Sequence, residues 1–271
     1  MPKTTSEPSL HYERVGESGP AVLLVMGLGM QGKVWEPQVR ELSRDHRVAI
    51  FDNRGIGKSA ALVGFPTMGD LAGDALRVAD ACGFDTFHLV GVSLGGMIAQ
   101  ELALREKGRV ASLTLIATHP GGPLGLVPRL SGVVAFVRSL IGPREGRLEA
   151  MKALLYPEEF LATVDPARLD ARMKLQLGER AAPRTLLGQL GAVARHDTRA
   201  KLHTIDAPTL VVRPDRDILV RPSHSNRLAR GIRRAKLHAV PDAGHGVIFQ
   251  GADEVSHAIR LHVAEAEAGA S

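Results

Sequence analysis

The chain contains 271 residues, of which 44% are hydrophobic, 23% charged and 4% aromatic, and its formal net charge is +5 at pH 7. This length can bury one large α/β domain with an insertion, or two small domains. Because few aromatic side chains could stack on bases, the basic charge predicts a solvated surface and no nucleic-acid partner. A single cysteine excludes an intrachain disulfide and predicts a cytoplasmic location. The apolar runs are too short to span a bilayer, so we expect no membrane partner.

The amino-terminal part of the chain predicts three strands. Residues 9–15 alternate in polarity, residues 21–26 form a continuous apolar run typical of a strand covered on both faces, and residues 47–51 form another that ends at Asp52. Residues 27–34 therefore follow the end of a buried strand. We predict an open loop there, in the position that a loop binding a developing oxyanion requires.

Residues 27–32 also match the Gly-x-Gly-x-x-Gly fingerprint of dinucleotide-binding proteins, with Asp52 at about the twenty-residue offset of a ribose-binding acid. In that fold a helix begins within the glycines, so Pro37 would lie in its interior at a cost of about 3 kcal/mol. A helix that begins near residue 35 places Pro37 in its first turn, where proline is favourable. An NAD-dependent oxidoreductase is thus an unfavoured alternative, and Asp52 and Arg54 are interpreted as structural turn residues.

Residues 87–100 combine an apolar run, a Gly-x-Ser-x-Gly turn centred on Ser93 and a helix start rich in small residues. This pattern is typical of a nucleophile elbow, where a serine stands in a sharp strand-to-helix turn flanked by glycines. The N–H of Leu94 at the helix start can bind a developing oxyanion. Because such pentapeptides also arise by chance, the hypothesis requires a histidine base and an acid later in the chain.

A strand predicted at 112–117 is followed by a change in composition. From residue 121 to about 202 apolar residues recur at helical spacing and no strand-like run occurs. We predict a helical cap (lid) at 120–202, inserted between core segments 1–119 and 203–271 and lying over the carboxyl edge of the sheet. In the simpler alternative, the apolar stripes of these helices bury one another. The residues of those stripes are Leu130, Val133, Val134, Val137, Met151, Leu154, Leu155, Leu186, Leu187, Leu190 and Val193.

Strands resume at 207–212 and 235–240, and each leads into a loop that carries a candidate for the required acid or base. The first loop contains Asp215 and Asp217, and the second contains Asp242 and His245. The chain order is therefore serine, acid, histidine. Asp215 competes with Asp217 for the role of acid, whereas Asp242 is more typical of a turn residue.

These pieces resemble the α/β-hydrolase superfamily over nearly the whole chain, and within it small capped serine esterases and enol-lactonases. The resemblance is carried by residues 26–28 with Trp35, by 52–59, by the elbow, by the Asp217 loop and by 244–246. It implies an α/β fold with a mostly parallel twisted sheet, helices on both faces and a helical cap inserted after the sixth strand.

Carried over by position, the resemblance implies that Ser93 is the nucleophile, His245 the base and Asp217 the acid. The backbone N–H groups of Leu28 and Leu94 would bind the oxyanion. One residue departs from the family pattern, since Met26 stands where a histidine is common. Support for the oxyanion loop must therefore come from elsewhere in the chain.

The expected activity is hydrolysis of a carboxylic ester through an acyl-enzyme, with a small-molecule ester or lactone as substrate and without cofactor or metal. The leucine- and valine-rich cap indicates a small or aliphatic acyl group. A lactonase, a carbon–carbon bond hydrolase and a cofactor-free perhydrolase could use the same triad, and a non-catalytic ligand-binding protein is the alternative from another class. We interpret Cys82, His88 and His119 as structural residues.

Overall fold

The computed structural model describes residues 2–122, 130–141, 143–177 and 181–270. Its strands are β1 (Tyr12–Val15), β2 (Ala21–Val25), β3 (Arg47–Phe51), β4 (Phe87–Val92), β5 (Val110–Ile116), β6 (Thr209–Pro214) and β7 (Ala235–Val240). Its helices are α1 (Glu36–Leu42), α2 (Met68–Ala81), α3 (Leu94–Arg105), α4 (Leu130–Leu140), α5 (Arg144–Leu155), α6 (Glu158–Thr163), α7 (Pro166–Leu177), α8 (Pro183–Arg195), α9 (Pro222–Gly231), α10 (Val247–Gln250) and α11 (Ala252–Ala270). Short 3-10 helices lie at Gly32–Trp35 and Leu202–Thr204.

The seven strands form one sheet in the order β1-β3-β2-β4-β5-β6-β7. Strand β1 pairs antiparallel with β3, and the other neighbouring pairs are parallel. Parallel strands are joined by crossovers, so the loops after β2, β4, β5, β6 and β7 all leave the same edge of the sheet. The predicted mostly parallel α/β sheet is confirmed.

Two apolar clusters cover the two faces of this sheet. All five residues of β2 are buried, and they alternate between the clusters, with Leu23 in one and Leu24 in the other. This alternation follows from the two-residue period of a strand and requires helices on both sides. Helices α2 and α3 pack in the first cluster, whereas α1, α10 and α11 pack in the second. The strands are therefore held by apolar contacts on both faces, which fixes the positions of their carboxyl ends relative to one another.

Five helices, α4 to α8, lie between β5 and β6, and we call residues 130–195 the helical insertion. The prediction that it follows the sixth strand is wrong for this chain, because only the short strand β1 precedes β2 and five strands come before the insertion. Arg172 on α7 attaches the insertion to the core, since its guanidinium donates to the Val34 carbonyl at 2.7 Å and lies over the Phe249 ring. The predicted boundaries at residues 120 and 202 remain a prediction.

Helix α4 differs from the expectation that apolar stripes are buried. Leu130 is 80% exposed, and Val133, Val134 and Val137 are 39–46% exposed. The buried positions on this helix are the small residues Gly132, Ala135 and Ser139. Small side chains allow close approach to α5, so the helix packs through them, and Leu130 and the three valines face outward.

Candidate active site

Ser93 lies in the turn between β4 and α3 with φ of 56° and ψ of −120°, a backbone conformation that side chains rarely adopt. Both flanking glycines are required by close contacts. A Cβ on Gly91 would lie 2.3 Å from the Gly95 carbonyl oxygen, and one on Gly95 would lie 2.0 Å from that of Val25. The sharp turn is therefore built from these glycines, and the strained serine lies at the carboxyl edge of the sheet.

His245 follows β7, and its Nδ1 lies 2.7 Å from Oδ2 of Asp217, which follows β6. The other carboxylate oxygen of Asp217 accepts the N–H groups of Leu219 and Val220, each at 2.8 Å. Asp217 is fully buried and His245 nearly so. Three hydrogen bonds thus orient the carboxylate, and its contact with Nδ1 leaves the Nε2 of His245 available to accept a proton.

Within the described residues, neither competing acid pairs with His245. Asp215 pairs with the guanidinium of Arg213 at 2.6 Å. Asp242 is exposed, and its backbone carbonyl accepts the side-chain amide of Gln250. Of the three carboxylates weighed from the sequence, the structure brings Asp217 to His245.

The loop after β2 passes directly beside Ser93. A Cβ built on Gly27 would lie 3.3 Å from the Cβ of Ser93 and 3.8 Å from its Oγ. Within the described residues, the N–H groups of Leu28 and Leu94 donate to no protein acceptor. The Asn53 side-chain amide donates to the Met26 carbonyl at 3.1 Å. Two unengaged N–H groups and a loop held from the core therefore flank the serine.

A cavity of about 140 Å³ contains Ser93 and His245 in its wall. Among its described lining residues, the only other polar side chain is that of Ser139. Apolar lining side chains come from the core and from the insertion, and they include Leu28, Phe136, Leu140, Leu154, Leu186 and Ile248. A cavity of about 150 Å³ lined by such side chains accommodates a molecule the size of benzene. The site therefore suits a small apolar group beside the serine.

Two further predicted structural residues lie near this site or on the sheet. His119 follows β5 and is buried, and its Nδ1 accepts the N–H of Gly121 at 3.0 Å. Burial, reinforced by the charges of His224, His196 and His245, lowers the pKa of His119 to about 3. His88 on β4 is also buried, with Nδ1 2.8 Å from the Ser112 hydroxyl. His119 is thus neutral over the working pH range and adds no charge to the site.

Cys82 and Asp52 likewise have local structural explanations. Burial raises the pKa of the Cys82 thiol to about 11, so the nucleophilic thiolate is scarce at neutral pH. The carboxylate of Asp52 accepts the N–H groups of Gly32 and Lys58, at 2.9 and 3.1 Å. This carboxylate is therefore occupied in shaping two loops, which disfavours its use in binding a ribose.

Pro37 lies in the first turn of α1, as the sequence predicts, and residues 27–31 precede the 3-10 helix as an open loop. Among the residues that the structure describes, no three His, Cys, Asp or Glu side chains are grouped to hold a metal ion. In the same part of the chain, no helix is both long and apolar enough to cross a membrane.

Two residues near Ser93 were not anticipated from the sequence. The Thr118 hydroxyl at the end of β5 donates to the Ser93 carbonyl at 2.7 Å. Gln189 on α8 is fully buried and accepts the N–H of Gly29 at 2.9 Å. A polar residue three positions after Leu186, on an otherwise apolar helix face, was the available signal for Gln189.

A parallel sheet with a strained serine at one strand end and a buried Asp–His pair at two others defines a protein of the α/β-hydrolase class. The sequence model of the α/β hydrolase fold family matches residues 20–252. The chain therefore belongs to the α/β-hydrolase family, as the resemblance implied.

Several known proteins are similar to this chain. A Variovorax paradoxus protein named "Putative carbamate hydrolase RutD" is 36% identical over 239 residues, which cover 87% of this chain and 89% of that protein. An esterase from Thermogutta terrifontis is 29% identical with a TM-score of 0.81, and the match covers 97% of this chain and 98% of the esterase. The enol-lactonase of Burkholderia xenovorans has a TM-score of 0.84 at 24% identity, with 97% and 100% covered. This last likeness shows a shared fold.

Proposed function

We propose that the protein is a serine hydrolase that cleaves carboxylic esters through a Ser93–His245–Asp217 triad. The observation that carries this proposal is the buried contact of 2.7 Å between His245 Nδ1 and Asp217, next to a serine in a strained turn on the same cavity. A histidine oriented by a carboxylate can act as a general base toward a hydroxyl. Nothing else in the cavity wall offers that chemistry among the described residues.

The reaction begins when the Ser93 hydroxyl attacks the ester carbonyl carbon while Nε2 of His245 accepts its proton. The carbonyl oxygen gains the negative charge, and the N–H groups of Leu28 and Leu94 bind it. The C–O bond to the alcohol then breaks, and His245 returns the proton to the leaving alkoxide. Water, deprotonated by the same histidine, attacks the acyl-enzyme and releases the acid and Ser93. Each oxyanion donor would lower the barrier by about 3 kcal/mol.

The apolar cavity supports a small or aliphatic acyl group. Side chains of the helical insertion, such as Phe136 and Leu154, form part of its wall beside the triad. The insertion would therefore act as a cap that excludes water from the acyl group and selects its length. A lactone presents the same carbonyl to Ser93, so lactone hydrolysis is a variant of this proposal.

The test is hydrolysis of p-nitrophenyl esters of increasing acyl length by the wild type and by Ser93→Ala. We expect activity on short acyl chains that is lost in Ser93→Ala, with loss of the order of 10⁴-fold or more. Asp217→Asn should also lose most of the activity, because its side chain no longer supplies the carboxylate that orients His245. Asp215→Asn, in the same loop, is its matched control and should stay active. Equal activity of the wild type and Ser93→Ala, or no activity on any ester or lactone, would contradict the proposal.

Carbamate hydrolysis is a second candidate, because a relative at 36% identity carries that name. The triad would act in the same way and form a carbamoyl-enzyme. Nitrogen donation makes a carbamate carbonyl less electrophilic than an ester carbonyl, and the apolar wall offers few partners for a carbamate N–H. Matched p-nitrophenyl esters and carbamates decide between them: a higher kcat/KM on the carbamate of equal size would favour this candidate.

A further inference from the structure

We infer that Gln189, on α8 of the helical insertion, is a positioning residue for the oxyanion donor at Leu28. This inference rests on the proposed function. Gln189 lies outside the cavity wall, and through its contact with Gly29 it sets the geometry of the loop beside Ser93. The loop therefore depends on the docking of the insertion.

The side-chain oxygen of Gln189 accepts the N–H of Gly29 at 2.9 Å, and the side chain is fully buried. Its Nε2 has no hydrogen-bond partner within the described residues. A buried amide that leaves one of its own polar groups unsatisfied costs stability. The contact with Gly29 is therefore the one polar interaction of this side chain that could offset its burial.

Hydrogen bonds hold the two peptide planes on either side of the Leu28 N–H. The Met26 carbonyl belongs to the plane before Gly27 and is held by Asn53, as described above. The Gly29 N–H belongs to the plane after Leu28 and is held by Gln189. The peptide between these two planes carries the Leu28 N–H. Holding both neighbouring planes fixes the ends of this peptide, at Gly27 and Leu28, and leaves its orientation to the hydrogen bond that its own carbonyl makes.

A hydrogen bond within the loop sets the direction of the Leu28 N–H. The Gly27 carbonyl accepts the N–H of Met30 at 3.4 Å. In a trans peptide the carbonyl and the N–H point in opposite directions, so the Leu28 N–H is directed away from Met30. The same peptide starts at Gly27, which lies against Ser93. The donor is therefore presented beside the nucleophile as long as the loop keeps this conformation.

The loop needs such support because it contains a glycine in a left-handed conformation. Gly29 has φ of +69°, and a Cβ there would lie 2.8 Å from Leu186 on α8. Glycine gains the most conformational freedom when it is released, so an unsupported loop would sample other conformations. Met26 offers no side-chain hydrogen bond where the family commonly has a histidine. Gln189, held on a neighbouring helix, supplies the missing contact.

The experiment compares Gln189→Met, which keeps the volume but removes the acceptor, with Gln189→Glu, which keeps an acceptor oxygen. Gln189→Asn shortens the side chain by one methylene and so moves the acceptor oxygen away from Gly29. This variant replaces Gln189→Met if that protein does not fold. The matched control is Thr185→Val, since the Thr185 hydroxyl on the same helix donates to the Gly55 carbonyl at 3.3 Å, away from the loop. Thermal unfolding establishes that each variant is folded.

Two assays are used. The first measures kcat and KM on a p-nitrophenyl ester. The second measures, by intact mass, the rate at which a fluorophosphonate probe labels Ser93. We expect Gln189→Met and Gln189→Asn to lower kcat and the labelling rate by about 10- to 100-fold while KM changes less than about twofold. Gln189→Glu restores both rates to within about threefold of the wild type, and Thr185→Val changes them by less than about twofold.

Wild-type rates in a folded Gln189→Met or Gln189→Asn variant would overturn the inference and leave the serine mechanism intact. Equal losses in Gln189→Glu or Thr185→Val would also overturn it, because the acceptor would then not be what matters. Absence of labelling in the wild type is a different result, since it would remove the proposed serine nucleophile itself and the inference with it.

Discussion

The hydroxyl of Thr118 donates a hydrogen bond of 2.7 Å to the backbone carbonyl of Ser93, and so joins the end of β5 to the strained turn after β4. Gly96 permits the approach, since a Cβ at that position would lie 2.5 Å from Cγ2 of Thr118. The elbow is thus supported from the neighbouring strand as well as by its own glycines.

Thr118→Val keeps the shape of the side chain and removes this hydrogen bond. We expect the free energy of unfolding to fall by about 1 kcal/mol, which corresponds to about 2–4 °C in Tm for a chain of this size. Differential scanning calorimetry measures the change. The control is Thr163→Val on exposed helix α6, where the hydroxyl bonds the Glu159 carbonyl within the same helix. An unchanged Tm in Thr118→Val would show that the bond does not stabilise the turn.

The backbone strain at Ser93 can be measured by comparing two inactive variants. Ser93→Gly relieves the strain of φ 56°, whereas Ser93→Ala retains it. Strain of this kind costs about 1–3 kcal/mol, and glycine loses about 0.5–1 kcal/mol through the entropy of the unfolded chain. We expect Ser93→Gly to be more stable than Ser93→Ala by about 1 kcal/mol in urea unfolding. If the alanine variant is equally or more stable, the turn is not strained.

Stability should fall at acid pH because buried histidines resist protonation. Burial lowers the pKa of His88 and His262, and that of His119 to about 3. Above pH 6.5 neither the folded nor the unfolded chain holds these protons, so the stability is fully present. As the pH falls below 6.5, the unfolded chain gains protons that the folded chain excludes, and for His119 this costs about 1.4 kcal/mol per pH unit until the pH approaches the folded-state pKa of about 3.

His119→Gln tests the part due to one site, because glutamine can still accept the N–H of Gly121 but does not titrate. The difference in unfolding free energy between pH 7 and pH 5, measured by urea titration at constant ionic strength, should shrink by about 2 kcal/mol relative to the wild type. An identical pH dependence in both proteins would mean that His119 does not contribute.

The size of the cavity predicts a shift in acyl preference when Leu154 on α5 is shortened. Leu154 is buried and lines the cavity. Each methylene of an acyl chain that Leu154→Ala newly accommodates should raise kcat/KM by up to about fourfold relative to the wild type, because its burial contributes about 0.8 kcal/mol. Leu169→Ala, a buried leucine of α7 outside the cavity wall, is the control and should keep the wild-type preference. The same shift in acyl preference in both variants would indicate that shortening either leucine loosens the packing of the insertion.

Motifs and strand ends made much of this arrangement predictable from sequence. The apolar run at 21–26 and the elbow at Ser93 are local patterns, and parallel strands bring Ser93, Asp217 and His245 to one edge whatever the details of packing. The preference of His245 for Asp217 over Asp215 depends on where the carboxylates point, which local sequence does not encode.

Contacts that depend on how the helical insertion packs against the core were not predictable from local sequence patterns. The bond between Gly29 and Gln189 joins residues 160 positions apart, and it exists because α8 lies against the loop after β2. The outward-facing stripe on α4 has the same spacing as a buried one, since helical periodicity defines a face without saying what covers it. The small residues Gly132 and Ala135 lie on the opposite face of α4 and allow that face to pack closely against the rest of the protein.

Cys82 is the sole cysteine in the sequence, and it is buried with its pKa raised to about 11. At neutral pH, a thiol-directed fluorophore or spin label would therefore not react with the native chain. A cysteine placed at exposed Val133 on α4 would be the single reactive thiol. Spectroscopic reporters can therefore be installed on the helical insertion without first removing a native cysteine, and a change in its position during turnover can be tested in a chain that carries no other substitution.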